Sequence, residues 1–130
     1  MAIIHLLSET MDEFLFEKNS REDREIRLEP SVKLSVRFSE KDSLAVGDAI
    51  VTIQDAGHEG LFRIKFHHLA RFRIESPLQS DAEKKAVHME AGRILHPLWN
   101  RTLRSFCVTA GIPVIQLPPY TVSEERIKTG

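Results

Sequence analysis

From Phe62 to Ile74 the chain alternates without interruption. Phe62, Ile64, Phe66, His68, Ala70, Phe72 and Ile74 share one side, and Arg63, Lys65, His67, Leu69, Arg71 and Arg73 share the other, with Leu61 extending the second row. Successive side chains of a strand point to opposite faces, so this run reads as a strand with an apolar face and a basic face. At ~3.3 Å per residue, residues 61–74 would span about 46 Å, well beyond a typical strand. A bend or bulge is therefore expected around Leu69-Ala70. Whatever the chain folds into must also cover that apolar row.

The cover follows directly. Ser80-Asp81-Ala82-Glu83 spells a capping box, in which the Ser80 hydroxyl and the Glu83 carboxylate satisfy backbone donors at a helix start. From there Val87, Ala91, Ile94, Leu95, Leu98, Trp99, Leu103, Phe106, Cys107 and Ala110 trace an apolar stripe of helical period. Gly111 can cap the end, and Pro113 stops continuation. Pro97 removes the backbone donor to the Arg93 carbonyl, which predicts a kink or restart that Gly92 would ease.

Upstream, Val32, Leu34, Val36 and Phe38 alternate with Lys33, Ser35, Arg37 and Ser39, a strand opened by Pro30 and followed by a polar turn through Ser43. Residues 44–54 read as another strand, with Ala49, Val51 and Ile53 on one face and Ile50 on the other. Asp55 to Gly60 suits a hairpin loop. Residues 17–27 carry eight charges of both signs and read as a solvated loop or strand end. Near the start, Phe14 and Phe16 favour a strand from about Glu13, although Thr10-Met11-Asp12-Glu13 also spells a helix cap. Prolines keep Ile112 to Tyr120 extended. The fold class expected is α+β, one domain over residues 1–130. An antiparallel sheet of about four strands precedes a long kinked helix and an extended, proline-rich C-terminal segment.

Composition narrows function by exclusion. A 130-residue chain with 42% hydrophobic residues can build one core, and a net charge of −1 provides no global attraction to nucleic acid or acidic membranes. The apolar run Ile3 to Leu7 is short and has no preceding Lys or Arg, so neither a signal peptide nor membrane insertion is expected, and the cytoplasm is the expected location. Cys107 is the sole cysteine and sits in the helical stripe, where packing explains it better than nucleophilic chemistry. His67 and His68 point to opposite faces, while His88 and His96 lie about 80° apart around a helix. They do not suggest a metal site. No nucleophile elbow or phosphate-cradling glycine loop occurs, so no enzyme activity, cofactor or metal is expected. Arg63, Lys65, Arg71 and Arg73 form a basic face, but alternation puts the phenylalanines on the opposite side, away from any stacking role with nucleic acid. A solvated or ion-paired surface is the simpler expectation.

Three passages carry a family resemblance. Leu69-Ala70-Arg71-Phe72-Arg73-Ile74 looks like a strand ending in a Gly-hydrophobic-Phe motif, with Ala70 at the glycine position. Ile94-Leu95-His96-Pro97-Leu98-Trp99-Asn100-Arg101 looks like a helical passage in which proline follows a bulky residue. Gly111-Ile112-Pro113-Val114-Ile115-Gln116-Leu117-Pro118-Pro119 looks like the segment leading out of that helix. In this order they resemble the SecB family of protein-export chaperones and SecB-like proteins.

The resemblance implies a four-stranded sheet packed on helices, a dimer or tetramer, and an ATP-independent holdase that binds unfolded or specific client proteins through apolar grooves. Phe14, Phe16, Leu117, Tyr120 and Val122 would line the groove. Leu61 and Leu69 are further apolar positions on the basic strand face. Two departures stand out. Little sequence follows Pro119 to form the family's C-terminal helix, and the basic face differs from the acidic sheet that the family presents to SecA, which argues against SecA as a partner. The alternatives are a basic-faced nucleic-acid-binding domain and an oligomeric structural protein without clients.

Overall fold

The computed structural model describes residues 4–18, 28–39, 43–55, 62–75 and 80–119. Four strands, β1 (Ile4–Lys18), β2 (Leu28–Ser39), β3 (Leu44–Asp55) and β4 (Phe62–Ile74), precede one helix, α1 (Asp81–Ala110). The strands form one antiparallel sheet in the order β1-β4-β3-β2. This is the expected antiparallel sheet followed by a long helix.

One face of the sheet is built to receive α1. Ala45, Gly47, Ala49 and Ala70 leave a shallow trough between larger side chains. A Cβ at Gly47 would stand 3.3 Å from the Phe72 ring and 3.7 Å from Leu95 of the helix, so glycine allows that close approach. Val87, Ala91, Leu95, Trp99, Leu103 and Cys107 supply the buried stripe of α1, at the period a helix requires. The helix begins over the β2–β3 end, where the Lys84 ammonium stands over the Phe38 ring, and ends at β1, where Phe106 meets Phe14 and Phe16. The other face of the sheet has no covering layer among the described residues.

Both predicted caps form. The Glu83 backbone N–H donates to Ser80 Oγ at 3.2 Å, and Gly111 turns left-handed at φ 71°. The Ile112 N–H then returns to the Cys107 carbonyl at 3.0 Å. The chain reverses here, and by Leu117 it has come level with Asn100, one short extended segment lying back along roughly three helical turns.

Three expectations need correction. The first strand begins at Ile4 rather than near Glu13, so the Thr10–Glu13 pattern starts no helix. The irregularity expected in β4 is absent from its pairing with β3, which is continuous through Leu69-Ala70. Instead β1 shifts register between Leu6 and Ser8 and between Met11 and Glu13, opposite the two sides of that segment. Finally, of the kink or restart expected at Pro97, the restart does not occur, and α1 runs on unbroken. Arg93 and Pro97 both lie on the exposed side, where water can satisfy the carbonyl that proline leaves unbonded. The charged connection 19–27, the loop residues 56–61 with Leu61, and the tail with Tyr120 and Val122 lie outside the described residues.

Candidate functional site

Phe14 and Phe16 point to the helix side at the β1 edge. There they meet aromatic rings from two other elements. Phe14 stacks on Phe66 at 5.9 Å and tilts against Phe106 at 4.8 Å. Phe16 meets Phe62 edge-on at 5.7 Å and Phe106 at 4.9 Å. Such geometries add favourable quadrupole contacts to apolar burial. Phe66 is buried, whereas Phe14 remains 38% exposed. The cluster is therefore core at its base and surface at its rim.

The aromatic cluster belongs to a longer apolar row. Leu6, Met11 and Phe14 pair with Phe72, His68 and Phe66, all on the helix side, yet they are 37%, 38% and 38% exposed. Beyond Phe16 and Phe62, at the end of the sheet, a cavity of about 530 Å³ opens beneath the post-helix segment. Leu28, Pro30, Ile53 and Phe62 line it from the sheet, and Ile112 to Gln116 from above. Its lining is mostly apolar.

Leu117 sits differently from the other predicted groove residues. It is buried, 5% exposed, and its segment is fastened to α1 through both the Leu117 N–H and the Leu117 carbonyl. The Leu117 N–H donates to Asn100 Oδ1 at 2.7 Å, and His96 Nε2 donates to the Leu117 carbonyl at 3.1 Å. Leu117 thus anchors the segment that roofs the cavity. Phe106, Leu28 and Ile112 were not identified as groove residues from sequence, because they come from distant segments joined only by folding.

Adjacent His67 and His68 serve opposite faces. On the helix side, Trp99 Nε1 donates to His68 Nδ1 at 3.1 Å, leaving the neutral ring's proton on Nε2, which faces Glu9 at 3.6 Å. Arg101 donates to the other Glu9 oxygen at 3.1 Å. These contacts tie α1, β4 and β1 together. Burial lowers the His68 pKa below its ordinary value, against the opposing pull of Glu9. On the open face, His67 bonds Asp48 through Nε2 and lies 3.4 Å from Asp12 through Nδ1. Its hydrogen bond to Asp48 raises its pKa, with Asp12 adding to the effect. Asp12 reaches it from the second irregularity of β1. The two carboxylates approach opposite nitrogens of one ring, an arrangement that links strands and does not converge on an ion. Among the described residues, no three His, Cys, Asp or Glu side chains form a metal-holding group.

Arg63, Lys65, Arg71 and Arg73 all lie on the open face, as alternation predicts, and Leu69 lies among them. The sheet's phenylalanines face α1. Cys107 is fully buried in the helix stripe. No helix among the described residues is long and apolar enough to cross a membrane.

No family model matches the chain, and no curated protein matches it. Solved structures do. The Mycobacterium tuberculosis Rv1957 SecB-like chaperone, determined in complex with a ChAD peptide from the Rv1956 HigA1 antitoxin, superposes with a TM-score of 0.69 at 11% identity, covering 91% of this chain and 88% of that one. A protein of unknown function from Streptococcus agalactiae gives a TM-score of 0.51 at 13% identity, covering 91% and 98%. The sheet order, the long helix after the last strand and these superpositions together assign the chain a SecB-like fold.

Proposed function

We propose that the chain is an ATP-independent SecB-like holdase, or a protein-binding relative, with no catalytic chemistry of its own. It would take extended apolar segments of unfolded or specific partner polypeptides. The observation that carries this reading is the uncovered helix-side row of β1. Leu6, Met11 and Phe14 continue the apolar face of the sheet beyond the helix and lead through Phe16 and Phe106 toward the cavity under Ile112 and Ile115. Grouped exposed apolar side chains of this kind, interrupted here where Glu9 pairs with Arg101, mark an interaction site.

β1 also forms an outer edge of the sheet, so backbone pairing is available to an extended client beside its apolar row. Phe14 and Phe16 would contact client directly, with Tyr120 and Val122 as further proposed contacts, while Leu117 would hold the roofing segment in place. A SecB-like neighbour bound to an antitoxin peptide supports a dedicated partner segment as one form of client. The same edge would support self-association into a dimer or a pair of dimers. The open face carries Arg63, Lys65, Arg71 and Arg73, which argues against SecA as a partner.

The direct test is suppression of aggregation of a chemically denatured model protein without ATP. The reading expects suppression at several-fold excess of this chain. No suppression of the model protein, together with no binding of extended apolar peptides, would sink it.

A further inference from the structure

The open face of the sheet is organised in rows that the strand register makes explicit. Ser39, Leu44, Arg73 and His5 form one row, and Arg37, Val46, Arg71 and Ser8 form the next. Then come Ser35, Asp48, Leu69 and Thr10, followed by Lys33, Ile50, His67 and Glu13. Three exposed arginines, Arg37, Arg71 and Arg73, thus cluster at one end of the face around Leu44 and Val46.

Among the described residues, no ion pair compensates their charge. Neither of their two rows contains a carboxylate. Asp48, in the adjacent row, is engaged by His67, which also draws in Asp12. His5 is bonded to Glu75 at 2.7 Å. Among the described residues, Asp48 and Glu75, the carboxylates beside the patch, each bond a histidine. A guanidinium donates two parallel hydrogen bonds to a carboxylate, so arginines with no ion pair among the described residues are prepared donors to acidic groups.

Geometry and apolar content favour a polypeptide ligand. Arg71 and Arg73 are two residues apart on one strand, so their side chains repeat about every 6.6 Å, the repeat of same-side residues in an extended chain. Half-buried Val46 pairs with Arg37 and Arg71, and half-buried Leu44 with Arg73, so both can receive apolar side chains placed between the acids. A single-stranded nucleic acid would call for exposed aromatic rings for stacking. The open-face positions in the rows around the arginines carry none.

We propose that this face, centred on Arg37, Arg71 and Arg73, is a second docking surface, for an acidic segment of a partner protein with apolar residues between its carboxylates. It is separated from the client site by the thickness of the sheet, so the two can be tested independently.

The test measures fluorescence anisotropy of a labelled twelve-residue peptide alternating glutamate with leucine or valine, added to the full chain. A lysine-for-glutamate peptide and a thymidine oligonucleotide of similar length are measured in parallel. The expected result is binding of the acidic peptide, weakened by rising salt, with little binding of the other two. The variant Arg37→Ser, Arg71→Ser, Arg73→Ser should lose at least tenfold in affinity while keeping the parent chain's melting temperature and its aggregation suppression. The variant Arg37→Glu, Arg71→Glu, Arg73→Glu should bind the lysine peptide instead, which separates lost charge from lost fold. Failure of the parent chain to bind the acidic peptide would overturn the proposal. So would equal binding by the serine variant, or tighter binding of the oligonucleotide that the serine changes abolish.

Discussion

The centre of the sheet and its β1 edge both present apolar side chains on the helix face, yet these end in different environments. In β3 and β4, Ala49, Val51, Ile53, Ile64 and Phe72 are completely buried. In β1, Leu6, Met11 and Phe14 have comparable chemistry and each keeps more than a third of its surface. Helix reach is the cause. α1 crosses from β2 toward β1 and meets that strand through Arg101 with Glu9 and through Phe106 with the two phenylalanines. The lesson is that alternation identifies an apolar face without saying whether the same chain covers it.

The largest expected effect falls in the centre. Leu95→Ala would open a cavity against the small-residue trough and cost about 2–5 kcal/mol, measured by denaturant unfolding. A change below about 1 kcal/mol would mean that the helix is packed far more loosely on the sheet than its burial implies. Gly47→Val should cost less, about 1–3 kcal/mol, because the new side chain must displace Phe72 or Leu95. If this variant were as stable as the parent, the close helix–sheet approach would be wrong.

A smaller effect distinguishes the two faces by pH. His67 has a raised folded pKa, so its contribution is present in full below the ordinary value of 6.5 and is lost as pH rises through the folded value. His68 and His88 have lowered folded values, so their contribution is present above 6.5 and is lost as pH falls toward those values. Stability curves should therefore fall on both sides of this range. His67→Gln should remove the decline on the alkaline side and spare the acidic one. An unchanged alkaline decline in that variant would show that the Asp12–His67–Asp48 link does not fasten β1 to the sheet.

What the sequence made legible follows from periodicity. Alternation is unbroken in β4, and the Ser80 cap, apolar stripe and Gly111 cap bound α1 clearly, so these elements could be read directly. β1 could not. Its helix-side residues run Ile4 and Leu6, then Glu9 and Met11, then Phe14 and Phe16, with Leu7 and Asp12 at the two register shifts. Each irregularity reverses the phase, so a period of two is lost over the strand although every segment obeys it. The helix passes Pro97 without a restart, because the missing hydrogen bond lies where solvent can replace it. Phe14 and Phe16 were legible as candidates because they alternate beside the tail in the family comparison. Their partner Phe106 and the cavity lined by Leu28, Ile53 and Ile112 depend on long-range packing that no local pattern records.

The central claim is that β1's exposed apolar row serves binding more than stability. It is tested most directly by replacing Met11 and Phe14 together with serine and measuring melting temperature and ATP-independent aggregation suppression on the same preparation. Both side chains are more than a third exposed, so the account predicts a small shift in melting temperature, far below that of Leu95→Ala, with suppression reduced several-fold. Unchanged suppression in a folded double variant would contradict the account, because the row would then be surface without a client.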